Sequence, residues 1–212
     1  MYELLNMFFL VSLYDLASYI ITALIAHDYK QKYRWFLLHS FCNSYIIQHS
    51  YKDLKLCINH TSKCSEIAWT DDSWNSVIMC SVLHAYHILF FTLTPDDILH
   101  HSIMFGICGP LAFYNRRLSV SSSLFFLSGV PGLIEYLYLW ITRCNNKYVN
   151  RALSVSQNLL IRSPGCILLA FINGMCLEPV NIIQSFILFW NAQYYLNQSY
   201  QSYYKSRVHL ST

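Results

Sequence analysis

Apolar residues in this chain gather in long runs, and those runs set its organisation. Mainly apolar stretches fall near 4–26, 35–48, 76–93, 95–114, 119–141, 164–177 and 180–196. A helix needs about 20 such residues to cross the hydrocarbon of a bilayer. The pattern therefore predicts an all-α integral membrane protein, a multi-pass bundle of about seven transmembrane helices. The count drops to five or six if the short second and sixth runs are re-entrant. Tyr2 and Glu3 precede the first run without the basic residues that open a signal peptide, so that run is expected to be retained. Gly129-Val130-Pro131-Gly132 should kink the fifth span. Between 145 and 162, Val149, Leu153, Gln157 and Leu160 stand among basic residues, which predicts an amphipathic surface helix ended by Ser163-Pro164-Gly165. No internal repeat divides residues 1–212, so one domain is expected.

Composition supports lipid as the solvent. Hydrophobic residues make up 55% of the chain and charged ones 12%, where a soluble domain carries roughly a quarter. Mean hydropathy is +0.31. The 17 tyrosines suit membrane interfaces, where a ring can bury its body and wet its tip. A net charge of +3 without a basic block argues against nucleic acid as a partner. Cys42, Cys80, Cys108, Cys166 and Cys176 fall in apolar runs and read as small hydrophobes, while Cys57 and Cys64 lie in a polar stretch and could pair in an oxidising compartment.

Orientation follows from Lys and Arg. With the N-terminus outside, the inner segments hold Lys30, Lys32, Arg34, Arg143, Lys147, Arg151, Arg162, Lys205 and Arg207. The outer segments hold Lys52, Lys55, Lys63, Arg116 and Arg117. That balance predicts N-terminus out and C-terminus cytoplasmic, although Arg116 and Arg117 sit awkwardly in a short outer loop. The Asn59-His60-Thr61 sequon then lies outside, and Asn197-Gln198-Ser199 goes unused.

Candidate chemistry concentrates between residues 84 and 101. Thr94-Pro95-Asp96-Asp97 is a helix start: Thr94 caps, Pro95 suits the first helical position, and the acids face the positive end of the dipole. The third and fourth spans are thus joined by a tight turn. His84 and His87 share a face of the third helix, and Asp97 precedes His100 and His101 by three and four residues. At 1.5 Å per residue the four rings lie roughly 7–17 Å in from Pro95 on antiparallel helices. Burying so many ionisable groups in lipid is costly, so they should face each other or a wet cavity. Asp96 reads best as a cap. His84 and His87 fit core histidines bonded to a neighbouring helix as well as they fit a reaction. Asp15, His39, His49 and Glu135 also lie in or near spans, and Glu135, about one turn past Pro131, is the best further cavity-lining group.

The arrangement Asp97-x-x-His100-His101 inside a span resembles the TLC (TRAM–Lag1–CLN8) domain family, which includes the ceramide synthases. The resemblance implies a helical bundle around a lipid-accepting cavity in the endoplasmic reticulum. It also implies membrane lipids as partners and acyl-CoA as a co-substrate, with no metal or other cofactor. On that basis His100 and His101, with Asp97, are the expected catalytic group, and His84, His87 and Glu135 the expected cavity group. One of the histidine pair would take a proton from an attacking amine or hydroxyl, with Asp97 fixing its tautomer. Two other readings use the same residues. One is a lipid-binding, sensing or trafficking protein without catalysis. The other is a histidine-ligated metal-dependent lipid oxygenase or desaturase, for which His84-x-x-His87 and His100-His101 resemble fragments of histidine boxes.

Overall fold

The computed structural model describes residues 2–25, 31–142 and 147–208. In chain order the helices are α1 (Tyr2–Ile25), α2 (Gln31–Asn59), α3 (Asp71–Phe90), α4 (Pro95–Ile103), α5 (Gly109–Asn115), α6 (Leu118–Leu124), α7 (Val130–Thr142), α8 (Lys147–Gln157), α9 (Ser163–Gly174) and α10 (Pro179–Val208). A single 3-10 turn, Thr61–Lys63, lies between α2 and α3. Among the described residues no strand forms, and one isolated bridge pairs Ala68 with Arg117.

Five prolines set this pattern, in two ways. Pro95 and Pro179 open α4 and α10, where a backbone N–H has no helical partner to lose. Pro110, Pro131 and Pro164 lie inside helices, and each stands two residues after a π-turn: Met104–Cys108, Phe125–Gly129 and Asn158–Arg162. An interior proline lacks its donor, and its ring strikes the carbonyl four residues back. Widening the turn ahead of it relieves that collision without ending the helix. So α4 runs on into α5, α6 into α7, and α8 into α9. The expected break at Ser163-Pro164-Gly165 is therefore corrected, because the segment 148–162 and the span that follows form one continuous helix.

Three rods are long and apolar enough to cross a membrane: Tyr2–Ile25, Leu118–Thr142 and Tyr148–Gly174. The remaining rods among the described residues fall short of that mark. α2, for example, carries Lys32, Arg34, Lys52, Asp53 and Lys55. What α2 and its neighbours share instead is an inverted distribution of polarity. On α1, Phe9 is 64% and Leu24 81% exposed, whereas Asp15 is 3% exposed and Ser18 and Thr22 are buried. The exposed sleeve of Leu, Ile and Phe continues over α9 and α10 at Phe171, Leu177, Ile183, Phe186 and Phe189. An apolar surface this extensive is foreign to a water-soluble monomer and suits hydrocarbon.

Polar contacts join the rods inside the sleeve. Asp15 on α1 pairs with Arg34 on α2 and accepts from the Tyr86 hydroxyl on α3 at 2.7 Å. Asp53 on α2 accepts from Thr70 Oγ1 at 3.0 Å and Ser73 Oγ at 2.7 Å, which fixes the capped start of α3. Ser76 on α3 meets Ser121 on α6 at 2.7 Å, and Asn115 on α5 donates to Asn181 and Gln184 on α10, each at 3.0 Å. Two glycines admit their neighbours closely. A Cβ on Gly132 would collide with the side-chain amide of Asn43, and one on Gly165 with the Phe126 ring.

The two ends of the bundle differ. At one end, Cys57 and Cys64 form a disulfide beside the 3-10 turn. The Arg116–Arg117 turn docks on that loop: Trp69 N donates to Arg116 O at 3.0 Å, Leu118 N to Ile67 O at 2.9 Å, and Arg117 Nη1 to Glu66 O at 2.8 Å. The awkward basic pair therefore has a structural use, with Arg116 taking the left-handed conformation (φ 44°) that closes α5. At the other end, Lys32, Arg34, Arg151, Lys205 and Arg207 gather near the ends of α2, α8 and α10. Lys30 and Arg143 lie outside the described residues.

Near the disulfide end, Asp72 accepts from His49 Nδ1 at 2.6 Å and from Lys52 Nζ at 3.0 Å. Burial opposes the charge on this carboxylate, but the two partners outweigh burial and hold its pKa below the usual carboxylate value. Such a group adds stability above its unfolded pKa and loses it as pH falls through the folded one. Asp72→Asn should therefore cost about 0.5–1 kcal/mol at pH 7, and the difference should close below about pH 4. Thermal melts of both proteins across pH check this, and a gap that stays constant with pH would rule out the ionic contribution.

Candidate functional site

The turn between α3 and α4 builds the site. α3 ends as Phe91 leaves the helix, its N–H still bonded to His87 O at 3.0 Å. Thr94 then caps α4: its Oγ1 accepts from Asp97 N at 3.2 Å, and Asp97 Oδ2 accepts from Thr94 N at 2.8 Å and from Thr94 Oγ1 at 2.7 Å. This reciprocal cap turns the chain back at once, so α4 brings its first histidines against the last turns of α3. The side chain of Asp96 lies outside the described residues.

Four histidines meet there as two pairs. His84 Nε2 lies 2.9 Å from His100 Nε2, and His87 Nδ1 lies 2.9 Å from His101 Nε2. His84 and His101 also meet edge to face, with ring centroids 5.3 Å apart. His87 and His101 are each 5% exposed.

Hydrogen-bond logic assigns the protons for neutral rings. His84 Nδ1 is 2.6 Å from the carbonyl of Cys80, which can only accept, so Nδ1 carries the hydrogen and Nε2 is bare. His100 Nε2 must then donate to it, leaving His100 Nδ1 bare and facing the Tyr195 hydroxyl at 3.4 Å. The chain Tyr195–His100–His84–Cys80 is thus directional. In the second pair, His101 Nδ1 is buried with no partner. A bare lone pair is cheaper to leave there than an orphaned N–H. His101 therefore donates through Nε2 to His87 and keeps a bare nitrogen inside the protein.

Other elements enclose these rings. The Trp35 ring from α2 lies over His87, centroids 3.7 Å apart, and His39 sits against Tyr136 of α7 at 4.3 Å. Tyr195 comes from α10, with the Arg162 guanidinium 4.7 Å from the centre of its ring. Trp35, Tyr136, Tyr195 and Arg162 were not expected as site residues. Each lies on a rod distant in sequence, and no local spacing says which rods will face each other. On the far side of His84 a cavity of about 230 Å³ opens between α3 and the wide turn before α5, lined by Ser81, Met104, Phe105, Pro110 and Phe113.

Of the expected residues, His84, His87, His100 and His101 come together, whereas Asp97 and Glu135 take other partners. The Asp97 carboxylate closes the Thr94 cap, where an expected role was to orient a ring. A carboxylate three residues into a helix is already claimed by the orphan donors of the first turn. Glu135 turns toward α8, accepting from Gln157 Nε2 at 2.7 Å and Ser154 Oγ at 3.4 Å, while Tyr136 beside it reaches His39. Among the described residues, no three His, Cys, Asp or Glu side chains converge in a group that could hold a metal ion.

The arrangement can pass a proton along either ring pair and can accept one at His101 Nδ1. Because the carboxylate of Asp97 is spent on the cap, Asp97→Ala should cost about 1 kcal/mol of stability and leave the ring tautomers unchanged. Nitrogen NMR of histidine-labelled protein reads those tautomers directly, and a change in them would return the carboxylate to the rings. Compared with known proteins, the chain matches no family model, no curated protein and no solved structure.

Proposed function

We propose that this is a multi-pass membrane protein of lipid metabolism that transfers an acyl group from acyl-CoA to a lipid amine or hydroxyl at the histidine hairpin. The two ring-to-ring pairs at 2.9 Å carry the reading. His101 Nδ1, bare and buried, takes the proton as the amine or hydroxyl attacks the thioester carbonyl. Its Nε2–H stays bonded to His87, which steadies the imidazolium as it forms. Collapse of the tetrahedral adduct breaks the C–S bond, and the proton on His101 leaves with the CoA thiol. The Tyr195–His100–His84 chain lies beside it with its hydrogens committed along its own length, and so holds the rings in place. The apolar cavity beyond His84 suits a hydrocarbon chain. Asp97, implied by the resemblance to the TLC family, contributes by holding the hairpin closed.

A second reading is a lipid-binding or trafficking protein with no reaction. The use of Asp97 as a cap favours it, because neither ring pair then has an acid hydrogen-bonded to it. Lipid analysis of cells expressing the chain, beside cells expressing His100→Ala/His101→Ala at matched levels, decides between them. A lipid class that rises with the wild type and needs both histidines is the expected result. Identical lipid profiles would leave the binding role.

The same proposal places the chain across the membrane about seven times, N-terminus outside and C-terminus cytoplasmic, in the endoplasmic reticulum. The disulfide, which persists in oxidising compartments, and the Asn59 sequon share one end, and the basic cluster marks the other. Arg162 leaves the count of inner charges, being buried along the Tyr148–Gly174 rod. Asn59→Gln should abolish a glycosidase-sensitive gel shift in a eukaryotic host. A shift that survives this change and disappears with Asn197→Gln would invert the topology.

A further inference from the structure

Arg162 closes the π-turn Asn158–Arg162 within the continuous Tyr148–Gly174 helix, roughly 21 Å from its first residue and 18 Å from its last. Its side chain is buried, with the residue 8% exposed. Nη1 donates to Asn158 Oδ1 at 3.0 Å, while Nε is buried without a partner. The ring of Tyr195 covers one face of the guanidinium. Among the described residues no carboxylate lies within 4.0 Å of it. The nearest comparison inside the bundle is Arg34, which is held by the Asp15 carboxylate. The carboxylate of Glu135 is directed instead at Gln157 and Ser154.

A guanidinium does not give up its proton, so burial cannot be relieved by neutralisation. One neutral amide and one aromatic face offset only part of the cost of desolvating a full charge. An arginine deep in an apolar rod, with a free donor and no counter-ion among the described residues, lacks an anion. Both faces of its surroundings bear on what that anion is. Outward, the same rod exposes Leu159, Leu160, Ile167 and Leu168 to lipid. Inward, Tyr195 connects it to His100.

We propose that Arg162, flanked by Asn158 and Tyr195, is the binding site for the oxyanion headgroup of a membrane lipid, a carboxylate or phosphate held by the free Nε–H and the guanidinium fork. The headgroup lies one tyrosine ring away from the histidine pairs, and the hydrocarbon tail runs along the exposed leucines. The site stands whether or not acyl transfer occurs, since it uses a residue outside both histidine pairs.

The test uses the full chain in nanodiscs of neutral lipid, with tryptophan fluorescence and thermal melting as readouts. The probes are oleate, dioleoylphosphatidic acid, methyl oleate and inorganic phosphate. Wild type should bind oleate or phosphatidic acid saturably and melt higher with it, and methyl oleate should have no effect. Arg162→Met should lose at least tenfold in affinity while melting, without ligand, at or above the wild type, because its uncompensated charge is gone. A purely structural arginine predicts the opposite, a lower melting point in R162M and no response of the wild type to either anion. Equal effects of oleate and its methyl ester, or full oleate binding by R162M, would overturn the proposal. Binding of inorganic phosphate with none of the lipid anions would overturn the lipid assignment. Should R162M fail to fold, Arg162→Lys decides: it keeps a point charge without the fork, so several-fold weaker binding is expected, and unchanged affinity refutes the site.

Discussion

Hydrocarbon offers a polar side chain nothing to bond to, so one turned inward bonds either to its own helix, as Ser18 does to Tyr14 O, or to another rod of the same protein. In this chain that requirement acts beside two apolar clusters, one around Leu38, Ile46 and Met79 and one around Leu118, Leu169 and Leu188. Asp15 meets Arg34 and Tyr86, Asp53 meets Thr70 and Ser73, Asn115 meets Asn181 and Gln184, and four histidines close on one another. Leucine and phenylalanine can face outward because lipid receives them without penalty. The contacts specify which rods are neighbours, a task that shape complementarity between apolar faces alone performs less selectively.

The same demand ranks the buried groups. Those whose hydrogen-bond capacity is filled within the bundle act as fasteners. Of the seven buried atoms left open among the described residues, the Nδ1 of His101 and the Nε of Arg162 belong to the two sites proposed. Their separation in sequence hides a spatial link, since Tyr195 of α10 contacts His100 and also covers Arg162. The chemistry of the hairpin and the polarity of the α8–α9 rod thus converge on one tyrosine.

What the sequence revealed was local. Thr94-Pro95-Asp96-Asp97 and the spacing of His84 and His87 announce a tight hairpin with facing rings, because caps and helical periodicity act over a few residues. The fate of Asp97 was written in the same stretch, as Thr-x-x-acid is a capping pattern, but the pull of the adjacent histidines suggested a ring partner. Trp35, Tyr136 and Tyr195 left no trace, since their roles depend on how rods pack. The hydropathy of α2 and α10 carried a mixed signal for the same reason: residues that fasten rods lower the apparent apolarity of the segment that bears them. Pro164 misled because an interior proline breaks a regular α-helix, and only a widened turn lets the chain continue.

Those widened turns have a consequence for how this fold tolerates change. A π-turn is equivalent to one inserted residue whose flanks keep the path of an ordinary helix. The insertion and the proline two residues beyond it compensate each other: without the extra residue the pyrrolidine ring strikes a carbonyl, and without the ring the extra residue is a bulge with nothing to accommodate. Single-residue deletions at 104–108, 125–129 or 158–162 are therefore conditional on the proline that follows, so each of these three rods holds a pair of sites that tolerate change only together.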